Sequence, residues 1–112
     1  MKKLEIIIRP EKLNVLQDIM NECGAMGMMI TNIMGYGNQL GHVKQYRGTK
    51  YTASLVSKLK VETVVKDEKV NTLIDKITSK LSTGNVGDGK IFIYDVENAV
   101  RIRTGEQKED AL

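Results

Sequence analysis

The chain is poor in most of the residues that announce chemistry. Its 112 residues include one cysteine, Cys23, so no intrachain disulfide can form and a reducing cytoplasm is the expected setting. The one histidine, His42, has no second histidine or nearby cysteine at ligand spacing, so a zinc or copper site made by protein alone is not expected. Tryptophan is absent and aromatic residues make up 4%, too few to build large stacking platforms. No run of about 18 apolar residues exists, which argues against a transmembrane helix. The opening from Met1 to Pro10 has too short an apolar stretch for a secretory signal, and Glu5 interrupts it. The net charge of +3 permits an anionic ligand but is too weak and dispersed to predict nucleic-acid binding. Catalytic constellations are missing as well: no Ser-His-Asp set recognisable by spacing, no metal cluster and no carboxylate pair flanking a pocket. An enzyme is therefore not the expected reading.

What is present reads as one domain over 1–112, with an ordinary 41% hydrophobic and 28% charged composition. Leu4 to Arg9 is a buried-strand pattern. Pro10, the single proline, suits the first turn of a helix, where its missing N–H costs nothing. Leu13, Leu16, Ile19, Met20 and Cys23 recur at helical spacing, with Gly24 as a stop; Cys23 on this stripe is a small hydrophobe rather than a reactive thiol. A second strand covers Met28 to Tyr36. Met20, Met26, Met28, Met29 and Met34 cluster around these two elements, as packing residues of a core or subunit contact.

The second half repeats the order. Leu55, Ser57, Leu59, Val61, Thr63 and Val65 alternate along one face of a strand, with Val56, Lys58, Lys60, Glu62 and Val64 on the other. Asp67 is a candidate N-cap for a helix whose stripe is Val70, Ile74, Ile77 and Leu81, ending at Gly84. Ile91 to Val96 is the fourth strand. Val100 to Arg103 adds an edge strand or hairpin partner, and the polar tail of about 105–112 is expected to be loose. The order is βαββαβ, an α+β ferredoxin-like sandwich with two helices on one sheet face. The uncovered face predicts oligomerisation. RNA-recognition domains share this order, but their aromatic signature is absent; Phe92 and Tyr94 are the closest approach.

Two stretches carry the functional signal. Thr83-Gly84-Asn85-Val86-Gly87-Asp88-Gly89-Lys90 is a glycine-rich turn closed by a lysine, able to aim backbone N–H groups at an anion. Arg101 and Arg103 follow at strand spacing, projecting from one sheet face; phosphate cradle and solvated hairpin both remain open on these residues alone. Between the halves lies a long loop of about 37–52, far beyond hairpin length, where a binding role is expected. Lys58, Lys60 and Glu62 read as a solvated strand face in which Lys60 pairs with Glu62, or as cations beneath an anionic ligand.

The chain resembles the PII nitrogen-regulatory signal proteins over essentially its whole length. The resemblance rests on Met1-Lys2-Lys3 to Pro10, Gly35-Tyr36-Gly37-x-Gln39 and Tyr46-Arg47-Gly48, and above all on two separated motifs. These are Thr83-Gly84-x-x-Gly87-Asp88-Gly89-Lys90-Ile91-Phe92 and Arg101-Ile102-Arg103-Thr104-Gly105-Glu106. It implies a homotrimer with ATP or ADP in clefts between subunits. Gly87, Asp88, Gly89 and Lys90 would hold phosphates, with Arg101 and Arg103 reaching the same groups. Met29, Glu62 and Val64 would border the adenine, with Gly37, Asn38 and Gln39 near the phosphates. With Mg-ATP the family binds 2-oxoglutarate; Gln39 would help coordinate Mg²⁺, Lys58 would pair with a carboxylate, and Leu40, Gly41 and Gly87 would complete the pocket. The loop would then engage an ammonium transporter, glutamine synthetase or another nitrogen-metabolism protein, so membrane contact arises only through a transporter. Tyr51 sits where some members are uridylylated, although Thr49-Lys50 alters the preceding recognition sequence. The chain also departs from the family at Met29, commonly threonine, at Asn38, commonly arginine, and at Leu40, commonly basic. These changes remove a hydroxyl beside the adenine and a cation beside the phosphates. The alternatives are a divergent relative with altered ligand response and, from another class, a ferredoxin-like nucleotide or acyl-phosphate hydrolase.

Overall fold

The computed structural model describes residues 1–25, 27–36, 43–46, 49–52 and 55–112, with 43–46 and 49–52 described as backbone. Four strands form an antiparallel sheet: β1 (Lys2–Ile8), β2 (Met29–Tyr36), β5 (Leu55–Val65) and β6 (Lys90–Asp95). Their order is β2-β5-β1-β6, so β2 and β6 are the two edges. Helices α1 (Leu13–Glu22) and α2 (Asp67–Leu81) are the two crossovers, and each links strands that are not neighbours. This is the split βαβ arrangement of a ferredoxin-like α+β domain.

The strand alternation decides which sheet face is buried. Leu4, Ile6 and Ile8 on β1 lie opposite Thr63, Val61 and Leu59 on β5, and all six are buried under the helices. α1 contributes Leu16, Ile19 and Met20 to that core, and α2 contributes Val70, Leu73, Ile77 and Leu81. Leu73 is buried completely, whereas Ile74, placed on the stripe by spacing, packs at its margin. Thr63 keeps its hydroxyl satisfied by donating to the Gly27 carbonyl at 2.6 Å, which ties the segment before β2 to β5. Of the methionines, Met20 is buried and Met28 partly so, while Met29 and Met34 are exposed; Met26 lies outside the described residues.

Several boundaries differ from expectation for local reasons. Pro10 opens a 3₁₀ turn, Pro10–Lys12, rather than α1 itself. Asp67 is the first residue of α2, not its cap; its carboxylate pairs with the Met1 ammonium at 2.9 Å, and Lys66 caps without a side-chain bond. α2 ends at Leu81, three residues before Gly84. In the central loop, β3 (Val43–Tyr46) and β4 (Thr49–Thr52) pair as a separate hairpin that the polar sequence did not signal.

Val100 to Arg103 is not a strand. Val100 makes a single bridge to Gln107, and the chain then turns, with the Gly105 N–H donating to the Arg101 carbonyl at 2.7 Å. Gly105 adopts φ +74°, which breaks any extended run and removes the shared face expected for Arg101 and Arg103. The tail is likewise tied down: it forms the 3₁₀ turn Lys108–Ala111, and the Lys108 N–H donates to the Ala99 carbonyl at 2.9 Å. Among the described residues, no helix is long and apolar enough to cross a membrane.

Candidate functional site

The glycine turn between α2 and β6 is built for one conformation. Gly84, Gly87 and Gly89 have φ of +80°, +99° and +114°, where side chains are strained. At Gly89 a Cβ would lie 1.8 Å from the Ile7 carbonyl oxygen, so glycine is required by contact as well as by torsion. Asp88 organises the rest. Its Oδ2 accepts from the N–H groups of Thr83 at 2.7 Å and Gly84 at 3.0 Å. Its Oδ1 accepts from the Thr83 hydroxyl at 2.6 Å and the Arg9 guanidinium at 2.7 Å. Arg9 also donates to the Val86 carbonyl at 3.0 Å. The Thr83 hydroxyl, the Thr83 and Gly84 amides and the Arg9 charge together lower the Asp88 carboxyl to about 2. The sequence grouped Asp88 with phosphate ligands; its carboxylate is held by Arg9, Thr83 and the Gly84 amide. Among the described residues, the N–H groups of Gly87 and Gly89 donate to no side chain or loop carbonyl, while the turn at Val86–Gly87 directs the Asp88 N–H toward the Asn85 carbonyl. A turn that leaves glycine N–H groups unpaired can serve as an anion nest.

Cations surround this nest on the open sheet face. Lys90 begins β6 opposite Ile7, which lies opposite Lys60 on β5. Lys58, two residues away, is only 6% exposed and donates its ammonium to the Gly87 carbonyl. Burial, and then the nearby Arg9 charge, push the Lys58 pKa down. The solvated-face reading of Lys58 is thus overturned. The expected Lys60–Glu62 pair gives way to a Lys3–Glu62 pair at 3.6 Å, with the Lys3 ammonium also 4.7 Å from the centre of the Tyr94 ring.

A cavity of about 540 Å³ opens at the other side of the sheet, beside the start of β2. Met28, Met29, Val64 and Val65 give it apolar walls, Glu62, Lys66 and Lys69 give it charge, and Ala111 and Leu112 close one side. Thioethers beside a slot of this size suit a flat heteroaromatic ring. Arg101 lies near this cavity rather than near the glycine turn: it donates to the Leu112 carbonyl at 3.2 Å and pairs with Glu106 at 3.2 Å. Arg103 is exposed in the following turn.

Within one chain, therefore, the sequence-selected residues fall into two groups. Gly87, Asp88, Gly89 and Lys90 gather where β1 ends, and the turn there reaches Lys58 on β5. Met29, Glu62 and Val64, with Arg101 close by through Leu112, gather toward the end of the sheet where β1 begins. The separation runs along the strands: Lys58 and Glu62 lie four residues apart on β5, roughly 13 Å. Gly37, Asn38, Gln39, Leu40, Gly41 and His42, and the side chain of Tyr51, lie outside the described residues. Arg9 was missed as a site residue, and Thr83, which opens the glycine-rich stretch, was given no role of its own. No local pattern pairs position 9 with position 88; only the β1–β6 ladder brings them together.

Residues 1–106 match the family model described as nitrogen regulatory protein P-II. Over all 112 residues, with both chains covered in full, the sequence is 47% identical to nitrogen regulatory protein P-II of Pasteurella multocida (strain Pm70). On the same full coverage it is 47% identical to nitrogen regulatory protein P-II of Microchaete diplosiphon and 44% identical to nitrogen regulatory protein P-II 1 of Escherichia coli (strain K12).

Proposed function

This chain belongs to the nitrogen regulatory protein P-II family, and we propose that it is a cytoplasmic, non-catalytic sensor of ATP, ADP and 2-oxoglutarate. The observation that carries this reading is the pair of complementary half-sites at opposite ends of the sheet's strands. One half offers free N–H groups and lysines for a polyphosphate; the other offers a cavity of about 540 Å³ with apolar walls, and Arg101 bonded to Leu112 of its lining. A ring of copies joined β6 edge to β2 edge would unite them, and a head-to-tail contact that closes gives a cyclic trimer. Met29, Tyr36, Phe92 and Tyr94, all exposed on these two edge strands, supply apolar surface for such a joint.

In the joined cleft, the turn at Gly87, Asp88 and Gly89 holds phosphate oxygens through its glycine N–H groups and Lys90 adds charge. Met29, Glu62 and Val64 of the next copy border the base, and its Arg101 and Arg103 reach the phosphates, Arg101 exchanging Glu106 for a more highly charged partner. Gly37, Asn38 and Gln39 approach from the loop. Mg²⁺ enters with ATP. The glycine turn presents amides and ammonium groups, and its one carboxylate is engaged by Arg9, which fits an ion carried by the ligand rather than caged by the protein. Gln39 would contribute an oxygen to the ion, Lys58 would pair with a carboxylate of 2-oxoglutarate, and Leu40, Gly41 and Gly87 would complete that pocket. Loop 37–52 then reports the ligand state to an ammonium transporter, glutamine synthetase or a related target.

Calorimetric titration of 2-oxoglutarate tests this reading. Heat of binding is expected with Mg-ATP present and none without it. Absence of 2-oxoglutarate binding under every nucleotide condition would leave a divergent relative with another effector. Sustained ATP hydrolysis that disappears in Lys90→Ala would replace the sensor by a hydrolase.

A further inference from the structure

The phosphate-facing turn contains an acidic residue at its centre, and this is an electrostatic problem. Asp88 stands between Gly87 and Gly89, whose free N–H groups form the anion nest, and its carboxylate stays ionised at every physiological pH. A free carboxylate on a turn this short would repel a polyphosphate or fill the nest itself. The fold deals with it through Arg9, which lies outside the local motif, and through Thr83, which opens it. Arg9, at the end of β1, pairs with Asp88 Oδ1 at 2.7 Å and holds the Val86 carbonyl at 3.0 Å. Thr83 supplies a hydroxyl at 2.6 Å and an amide at 2.7 Å to the same carboxylate.

We propose that Arg9, with Thr83, is a positioning residue for phosphate binding: it sequesters the Asp88 carboxylate on the far side of the turn so that the nest stays open to an anion. The inference rests on the nucleotide-sensor reading and extends it to residues outside the expected contact set. Arg9 acts through Asp88, so its effect is confined to the charged part of the ligand. It is also specific in sign: an Asp88 freed of Arg9 harms binding because of its charge, and removing that charge restores binding.

The test compares ATP and adenosine binding to the full chain carrying Arg9→Gln, Arg9→Lys, Asp88→Asn, or Arg9→Gln with Asp88→Asn, alongside thermal melting. Arg9→Gln is expected to weaken ATP by roughly tenfold, the factor for losing one charge-dependent contact of about 1.4 kcal/mol, with adenosine affinity unchanged. Arg9→Lys keeps most ATP affinity, since the charge remains without the fork. The double variant recovers ATP affinity relative to Arg9→Gln, although it removes a further polar group. Equal loss of ATP and adenosine in Arg9→Gln, or a double variant no better than Arg9→Gln, overturns the proposal and reduces Arg9 to a brace of the fold. Wild-type protein that binds no ATP would instead overturn the sensor reading beneath it.

Discussion

Gly89→Ala is expected to abolish nucleotide binding and to lower stability by about 3–5 kcal/mol, the sum of a strained positive φ and a forced backbone shift. The new methyl would lie 1.8 Å from the Ile7 carbonyl oxygen and 2.9 Å from its carbon, and both are backbone atoms that no rotamer change can move. Relief requires β6 to separate from β1 at the Ile7–Lys90 pair, which is also where the lysine of the cradle is set. For a domain of this size the cost corresponds to a fall in Tm of roughly 15–25 °C. Gly84→Ala is the control. Gly84 has a similar positive φ of +80°, but its added Cβ meets nothing within 4 Å, so only the torsional cost of about 1–2 kcal/mol applies. Thermal melts of the two variants, with ATP titrations at a temperature where both are folded, separate collision from strain. A Gly89→Ala protein as stable as Gly84→Ala would show that the close approach of β1 to the turn is wrong.

Lys58→Met is expected to give opposite signs for binding and stability. The methionine keeps most of the buried stem and removes the ammonium. Loss of a hydrogen bond to a charged ligand is worth about 1.5–3 kcal/mol, so 2-oxoglutarate affinity in Mg-ATP should fall roughly tenfold to a hundredfold. Stability should hold or rise, because the site disfavours the charge it carries: burial, then Arg9, depress the Lys58 pKa. The sign with pH follows. The native state releases the Lys58 proton below the ordinary value of 10.5, so stability rises with pH through that window. 2-Oxoglutarate affinity, which needs the ammonium, falls over the same range. Calorimetry across pH, paired with melting curves, reads both. A variant that loses stability while retaining 2-oxoglutarate would remove Lys58 from the pocket.

The strands and helices were legible because period-2 and period-3.6 patterns are set by burial, and burial is local to each element. Leu4, Ile6 and Ile8 against Leu59, Val61 and Thr63 is the clearest case. Patterns failed where a single residue overrode its neighbours. Val100 to Arg103 alternates like a strand, but Gly105 at φ +74° folds the chain back onto Arg101. Lys58 sits in a polar alternation and reads as solvated; the Gly87 carbonyl that buries it comes from another element. The glycine turn was legible as a cradle from its residue types, since positive φ and free N–H groups follow from glycine itself. Its internal wiring was not legible, because Arg9 meets Asp88 only through the β1–β6 pairing. Nor does any periodicity reveal that the arginines and the lysines stand at opposite ends of one sheet.

That division makes the shared cleft the central claim, and subunit mixing tests it most directly. Chains carrying Lys90→Ala lack the phosphate lysine of one half-site, and chains carrying Arg101→Ala lack the arginine of the other. Each variant alone is expected to bind little ATP at concentrations that saturate the wild type. Co-expressed in equal amounts, the two chains assemble at random, and about a quarter of the clefts join an intact Lys90 from one copy to an intact Arg101 from the next. ATP stoichiometry should therefore recover to about a quarter of wild type. No recovery in the mixture, with both single variants inactive, would mean that one chain supplies both groups to the same site.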